Sequence, residues 1–209
     1  MYKVLYNRRH LISLVILDRD GVINQDRPHS VRYVDDFKVF PTAPQAIKRL
    51  NQAGIPVVIA TNQAVVDRGD LSPAGLNEIH EKMTAVLANG GATIDKLYVC
   101  TSQNAAHIDR KPNPGMLHKA MDDFGAKPEN TLFIGDALRD YQAACHAGCH
   151  FILVRTGKGR SLEKTQGQLF APHMVYEDLA EAIAHLTESQ PTKSQPTVSI
   201  KESLNQKRV

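Results

Sequence analysis

The chain has no tryptophan, only three cysteines, and aromatic residues at just 6% of its 209 positions. Three cysteines without regular spacing make no disulfide framework, which excludes the small cross-linked secreted classes and suits a reducing compartment. Cys145 and Cys149 fall where a helix and the loop after it are expected, near the core. No apolar stretch approaches the ~20 residues that span a bilayer. The stretch "LISLVIL" follows Arg8 and Arg9 as a signal-peptide core does, but it runs into "DRDG" where small cleavage-site residues belong. Neither export nor a membrane segment is expected, and the cytoplasm is the expected location. A surplus of positive charge is missing from the body of the chain as well. The formal charge is +3, and residues 189–209 carry four cations (Lys193, Lys201, Lys207, Arg208) against one anion, Glu202, so everything before them is formally neutral. A neutral body without a kinase P-loop argues against nucleic acid as a partner.

The terminal stretch repeats "SQPT" and is poor in large apolar residues, so residues 189–209 are expected to form a disordered basic tail behind a single domain over 1–188. Within that domain, β-branched runs alternate with helical patterns. "LISLVIL", "IPVVIA", "IDKLYV", "TLFIG" and "CHFILV" read as strands, and "APQAIKRLNQAG", "SPAGLNEIHEKMTAVLANGG", "NPGMLHKAMDDFGA" and "ALRDYQAACHAG" read as helices. "DLAEAIAHLTE" supplies a last helix. Continuous rather than alternating hydrophobicity in the strands means burial on both faces, which predicts an α/β doubly wound parallel sheet.

In such sheets ligands bind beyond the carboxyl ends of the strands. Asp18 and Asp20 follow the first strand, "TNQ" (61–63) the second, Cys100 opens the loop after the third, and "GDALRD" (135–140) follows the fourth. Alone, Asp-x-Asp-Gly reads as a turn. Residues i and i+2 of a strand share a side, however, so both carboxylates can reach one place, and two like charges there call for a cation. A hard, oxygen-liganded ion such as Mg²⁺ fits, with Asp136 as a further ligand. Thr61 and Asn62 offer a hydroxyl, an amide and strand-end N–H groups to phosphate oxygens, and Lys111 adds positive charge against a phosphoryl group. These residue types together describe a phosphoryl-transfer site.

The order DxDG(V/I)xN, TNQ, RKP, GDxxxD, running from Leu11 to Lys158, resembles the haloacid-dehalogenase superfamily of phosphatases. The resemblance implies a Rossmann-like domain and a set of roles. Asp18 becomes the nucleophile that forms an aspartyl-phosphate, and Asp20 the acid toward the leaving alcohol and then the base toward water, lending its backbone carbonyl to the metal. Asp136 becomes a Mg²⁺ ligand, Asp140 a residue that orients the metal's waters or Lys111, and Thr61 and Lys111 the grip on the transferred phosphoryl group. Asn24, which closes the first motif, joins Asn62 among the substrate-binding positions. The two places where this superfamily inserts a cap leave only about forty and about fifty residues, already filled by a helix and a strand each, so a capless monomer is expected.

"ILDRDGVIN", "YVDDFKVFP", "ATNQAVVDRG", "RKPNPGM" and "LVRTGKG" further resemble the D-glycero-D-manno-heptose 1,7-bisphosphate 7-phosphatases and their relatives, the histidinol-phosphatases. This implies a small phosphorylated sugar as substrate, with histidinol phosphate or another small monoester, or a non-catalytic binding role, as the alternatives. It also implies that Arg110 contacts the far phosphate of a bisphosphate, with Arg68 a second candidate. One departure stands out. Many members carry a structural zinc on Cys-x-His and Cys-x-Cys before the Arg-Lys pair, but here the loop reads "CTSQNAAHIDRKP". Cys100 remains, Ser102 replaces the histidine, and His107 and Asp109 stand for the two cysteines. A serine is a poor fourth ligand, so no zinc is expected.

Overall fold

The computed structural model describes residues 4–6 and 10–188; the tail expected at 189–209 lies outside them. A short antiparallel hairpin, β1 (Val4–Tyr6) with β2 (His10–Ile12), precedes the main sheet. It is followed by β3 (Leu14–Leu17), α1 (Ala43–Gln52), β4 (Val57–Asn62), α2 (Pro73–Asn89), β5 (Lys96–Cys100), α3 (Gly115–Phe124) and β6 (Thr131–Gly135). Then come α4 (Leu138–Ala147), β7 (His150–Val154), α5 (Gly159–Gln166), β8 (Val175–Tyr176) and α6 (Leu179–Glu188). The six-stranded sheet has the order β5-β4-β3-β6-β7-β8 and every pairing in it is parallel.

The doubly wound sheet expected from the continuous apolar runs is present. Val15 and Leu17 of β3 join one core with residues of α1, α2 and α6; Leu14 and Ile16 join the other with residues of α3 and α4. That is the period-two alternation of a strand covered on both sides. The run "LISLVIL" is not one strand. Exposed Ser13 interrupts it, its N–H bonded to the carbonyl of Asn130 at 2.8 Å, so Leu11 and Ile12 pair with β1 and only Leu14 onward enters the main sheet. Helix α5 and strand β8 have no counterpart in the sequence reading.

Helix starts follow local chemistry. Ser72 caps α2 by accepting from the N–H of Gly75 at 3.0 Å, with Pro73 in the first turn, where its missing N–H costs nothing. Between Asp20 and Thr61 lie a loop with one 3-10 turn (Val34–Asp36), α1 and most of β4; between Thr61 and Lys111 lie α2 and β5. Connections run from β3 outward through β4 to β5, then return to β6 on the other side of β3. The crevice beyond the carboxyl ends of β3 and β6 is therefore the topological switch point. Among the described residues no helix is long and apolar enough to cross a membrane.

Candidate active site

Asp18 leaves the end of β3, Thr61 and Asn62 end β4, Asp136 follows β6, and the turn 155–158 follows β7, so four adjacent strands deliver side chains to the switch point. Lys111 comes from the loop before α3 and is fully buried. Its Nζ lies 2.9 Å from Asp18 Oδ1 and 2.7 Å from Asp140 Oδ1, and it donates to the carbonyl of Ala60 at 2.8 Å. Burial works against its charge, but Asp140 and Asp18 outweigh burial and hold Lys111 above its ordinary value. Asp140 is fixed by its own helix: at the third position of α4 its Oδ2 accepts from the N–H of Ala137 at 3.1 Å. The sequence places Asp140 behind the metal; the structure sets one of its oxygens in a group with Asp18 and Asp136, one ligand atom from each within 4.8 Å of one another.

Three buried carboxylates beside one lysine leave the site short of positive charge. Burial, with Asp140 and Asp20 adding to it, pushes Asp18 up to about 6 against the pull of Lys111. Asp136 is pushed up to about 8 by burial, then by Asp140 and Asp18. Asp136 Oδ2 accepts from the N–H of Lys158 at 2.8 Å, while its buried Oδ1 has no hydrogen-bond partner among the described residues. An unpartnered buried carboxylate oxygen beside acids with raised pKa values fits a hard cation as its partner.

Two glycines make this closeness possible. Gly21 (φ 89°) and Gly157 (φ 57°) both have left-handed backbone, and a Cβ on either would run into Asp136 Oδ2. Thr156 ties the two turns together, its hydroxyl donating to the carbonyl of Gly21 at 2.6 Å. Lys158 closes the rim by pairing with Asp26 at 2.8 Å. The stretch "LVRTGKG" thus frames the site, a role that its spacing does not announce.

Asp20 faces a different set of partners. Arg19 grips its carboxylate with Nη2 (2.9 and 3.0 Å) and Nε (3.3 Å), Asn24 Nδ2 donates to it at 2.8 Å, and Gln63 Nε2 donates at 2.8 Å. Burial raises its pKa, but Arg19, Asn24 and Gln63 together outweigh burial and hold Asp20 below the usual carboxylate value. Its side chain stands apart from the three-carboxylate group. Gln63 also donates to Thr61 Oγ1 at 2.9 Å, linking Asp20 to that hydroxyl. Neither Gln63 nor Arg19 has a role in the sequence reading, although both lie inside the quoted motifs.

The two asparagines among the expected substrate-binding positions both have protein partners. Asn24 is fully buried, and its amide donates to Asp20 and to the carbonyl of Gln25. The Asn62 side chain clamps the backbone of Lys111 on both sides, donating to its carbonyl at 2.9 Å and accepting from its N–H at 3.1 Å. Its amide thereby fixes the backbone of the lysine.

The loop from Cys100 to Lys111 is held by local hydrogen bonds. Cys100 Sγ lies 3.8 Å from His107 Nδ1, Asp109 pairs with Lys119 at 2.6 Å, and Asn104 N–H donates to Ser102 Oγ at 3.1 Å. Arg110 donates to the carbonyl of Ser102 at 2.8 Å through Nη1. Arg68 pairs with Asp70 at 3.0 Å, which Arg32 also reaches at 3.3 Å.

A doubly wound sheet with an aspartate pair after its central strand, a buried lysine and a facing acidic group defines a haloacid-dehalogenase-type phosphohydrolase. The family described as HAD-hydrolase-like matches residues 108–182. The D-glycero-beta-D-manno-heptose-1,7-bisphosphate 7-phosphatase of Bordetella bronchiseptica is 42% identical over 176 residues, covering 84% of this chain and 98% of that protein. The Escherichia coli enzyme of the same name is 33% identical over 156 residues, 70% of this chain and 81% of its own length. The solved D,D-heptose 1,7-bisphosphate phosphatase of B. bronchiseptica, complexed with magnesium and phosphate, superposes with a TM-score of 0.78 at 41% identity, covering 86% of this chain and all of that one. The chain belongs to the heptose-1,7-bisphosphate 7-phosphatase family of haloacid-dehalogenase-like hydrolases.

Proposed function

We propose that the chain is a Mg²⁺-dependent phosphatase that removes the 7-phosphate of D-glycero-D-manno-heptose 1,7-bisphosphate through an aspartyl-phosphate on Asp18. The observation that carries this reading is the buried Asp18–Lys111–Asp140 group at the switch point, in a chain matching nearly the whole length of a heptose-bisphosphate phosphatase. An oxygen of Asp18 attacks phosphorus, the ester P–O bond breaks, and the leaving oxygen takes a proton from Asp20. Water then attacks the acyl phosphate, giving its proton to Asp20, and the P–O bond to Asp18 breaks to release inorganic phosphate. The grip of Arg19 keeps Asp20 ionised, which suits the second half of this cycle; the first half needs its protonated form. Lys111 faces the negative charge gathered on the transferring group, and Thr61 stands beside it.

The donor set fits magnesium: the side chains of Asp18 and Asp136 with the backbone carbonyl of Asp20 would hold it, and Asp140, its oxygens engaged by Lys111 and the Ala137 N–H, would stand behind them. When bound it neutralises the carboxylates and polarises the phosphoryl oxygens. Arg110, with one guanidinium nitrogen engaged by Ser102, keeps others for the far phosphate. The loop around Cys100 needs no zinc in this reading, since Asp109 is taken up by Lys119 and Ser102 is a poor fourth ligand. The enzyme works as a single capless domain in the cytoplasm. A phosphate-release panel with both heptose bisphosphate anomers, histidinol phosphate, fructose 1,6-bisphosphate and a 3′-phosphorylated oligonucleotide tests the assignment. A heptose bisphosphate anomer should lead, and a clear preference for any of the others would displace it.

A further inference from the structure

Behind Asp20 lies a chain of contacts that the reaction as described does not use. Arg19 is fully buried, a rare state for arginine unless every donor is engaged. One edge of its guanidinium grips Asp20, its face lies 5.6 Å from the centre of the Phe37 ring, and Nη1 meets Nε2 of His80 on α2 at 3.1 Å. A guanidinium nitrogen only donates, so His80 Nε2 is the acceptor and its proton sits on Nδ1. The imidazole is therefore neutral. Burial, and then the neighbouring Arg19 charge, push its pKa down to about 4, with Asp20 pulling weakly the other way. Without this acceptor, Nη1 would be a buried charged donor with nothing to bond, and the guanidinium would turn to satisfy it.

We propose that His80 is a positioning residue for Asp20, acting through Arg19: by accepting Nη1 it locks the guanidinium plane and so fixes where the carboxylate of Asp20 stands. The inference rests on Asp20 being the acid and base of the reaction. It extends the site from the strand ends to the middle of α2, sixty-one residues away in sequence. His80 stands outside the three-carboxylate group, and its ring bonds Arg19 instead. Its outer side borders a cleft of about 290 Å³ lined by Val66, Pro73, Leu76, Asn77, Val99 and Thr101, so a replacement side chain has room to settle.

Three variants separate positioning from mere packing. His80→Leu removes the acceptor, His80→Gln offers an amide oxygen in its place, and His80→Glu offers a carboxylate that competes with Asp20 for the guanidinium. With 4-nitrophenyl phosphate the leaving group needs no proton, so a misplaced Asp20 slows only the attack of water. His80→Leu and His80→Glu should lose about tenfold in kcat, the scale of one hydrogen bond to a charged group, with KM falling in step so that kcat/KM holds. Acid-quenched samples should at the same time contain more phosphoenzyme than wild type. His80→Gln should recover most of kcat. A variant that is only damaged in structure loses turnover and phosphoenzyme together. That result, or wild-type kcat in His80→Glu, or His80→Gln no better than His80→Leu, would overturn the proposal. If His80→Leu does not fold, the Gln and Glu variants decide the matter between them. Asp20→Asn is run alongside: normal turnover there would remove the role of Asp20 itself, whatever the His80 variants do.

Discussion

Replacing Lys111 by methionine keeps nearly the same length and volume and deletes one buried charge. In the native protein that charge lies within 2.9 Å of Asp18 and 2.7 Å of Asp140, whose side chains are 6% and 0% exposed. Removing one partner of a buried ion pair costs about 3–5 kcal/mol, because the charge left behind is neither paired nor solvated. Here two carboxylates lose their partner, so the upper end of that range applies. Against a total of about 5–15 kcal/mol for an ordinary domain, a third or more of the stability should disappear. Urea unfolding in chelator at pH 7 measures this directly. Adding Asp140→Asn to Lys111→Met should restore part of the loss, because the amide keeps an acceptor for the N–H of Ala137 while removing one stranded charge. Turnover should fall by about 10²–10³-fold, as when one preorganised donor to a developing charge is removed. A stability loss under about 1 kcal/mol, with no gain in the double variant, would refute the electrostatic reasoning.

Other outcomes follow from the same geometry. Asp18→Asn should abolish turnover with the fold intact, since the amide fills the same space but does not attack phosphorus; measurable phosphoenzyme in this variant would contradict the assignment. Gly157→Ala should cost at least about 1–2 kcal/mol from left-handed backbone alone, and should weaken magnesium binding, read by calorimetry, because its methyl group displaces Asp136. Asp18 and Asp136 have folded pKa values near 6 and 8, above their ordinary 3.8, so the folded state keeps protons that the unfolded state has released. Their stabilisation is complete below about pH 4 and is lost as pH rises toward about 8, so the melting temperature gained on adding magnesium should grow over that interval. A gain independent of pH would count against this carboxylate group as the metal site.

The parts of the site legible in the sequence are those carried by strand ends. "DRDG", "TNQ" and "GDALRD" each follow a run of β-branched residues, and a parallel sheet brings all such ends to one edge whatever the details of packing. The parts that escaped depend on which group a side chain meets across the fold. Asn24 and Asn62 look like ligands because their amides can bond phosphate, but both are nearer to protein partners, Asp20 and the backbone of Lys111. Arg19 and His80 carry no motif that links them; a histidine within the apolar pattern of α2 gives no sign of its partner. The first apolar run divides at Ser13 because Leu11 and Ile12 pair with a separate hairpin strand, a partner that the run itself does not show. Helix α5 is short, opens on Gly159 and is mostly polar, so its periodicity is weak.

The most direct measurement of the central claim is ³¹P NMR of D-glycero-D-manno-heptose 1,7-bisphosphate incubated with the protein and magnesium. The 7-phosphate resonance should vanish as inorganic phosphate grows in equal amount, leaving the anomeric 1-phosphate intact, with Asp18→Asn producing no change. Loss of the 1-phosphate, or an unchanged spectrum under conditions where histidinol phosphate is turned over, would contradict it.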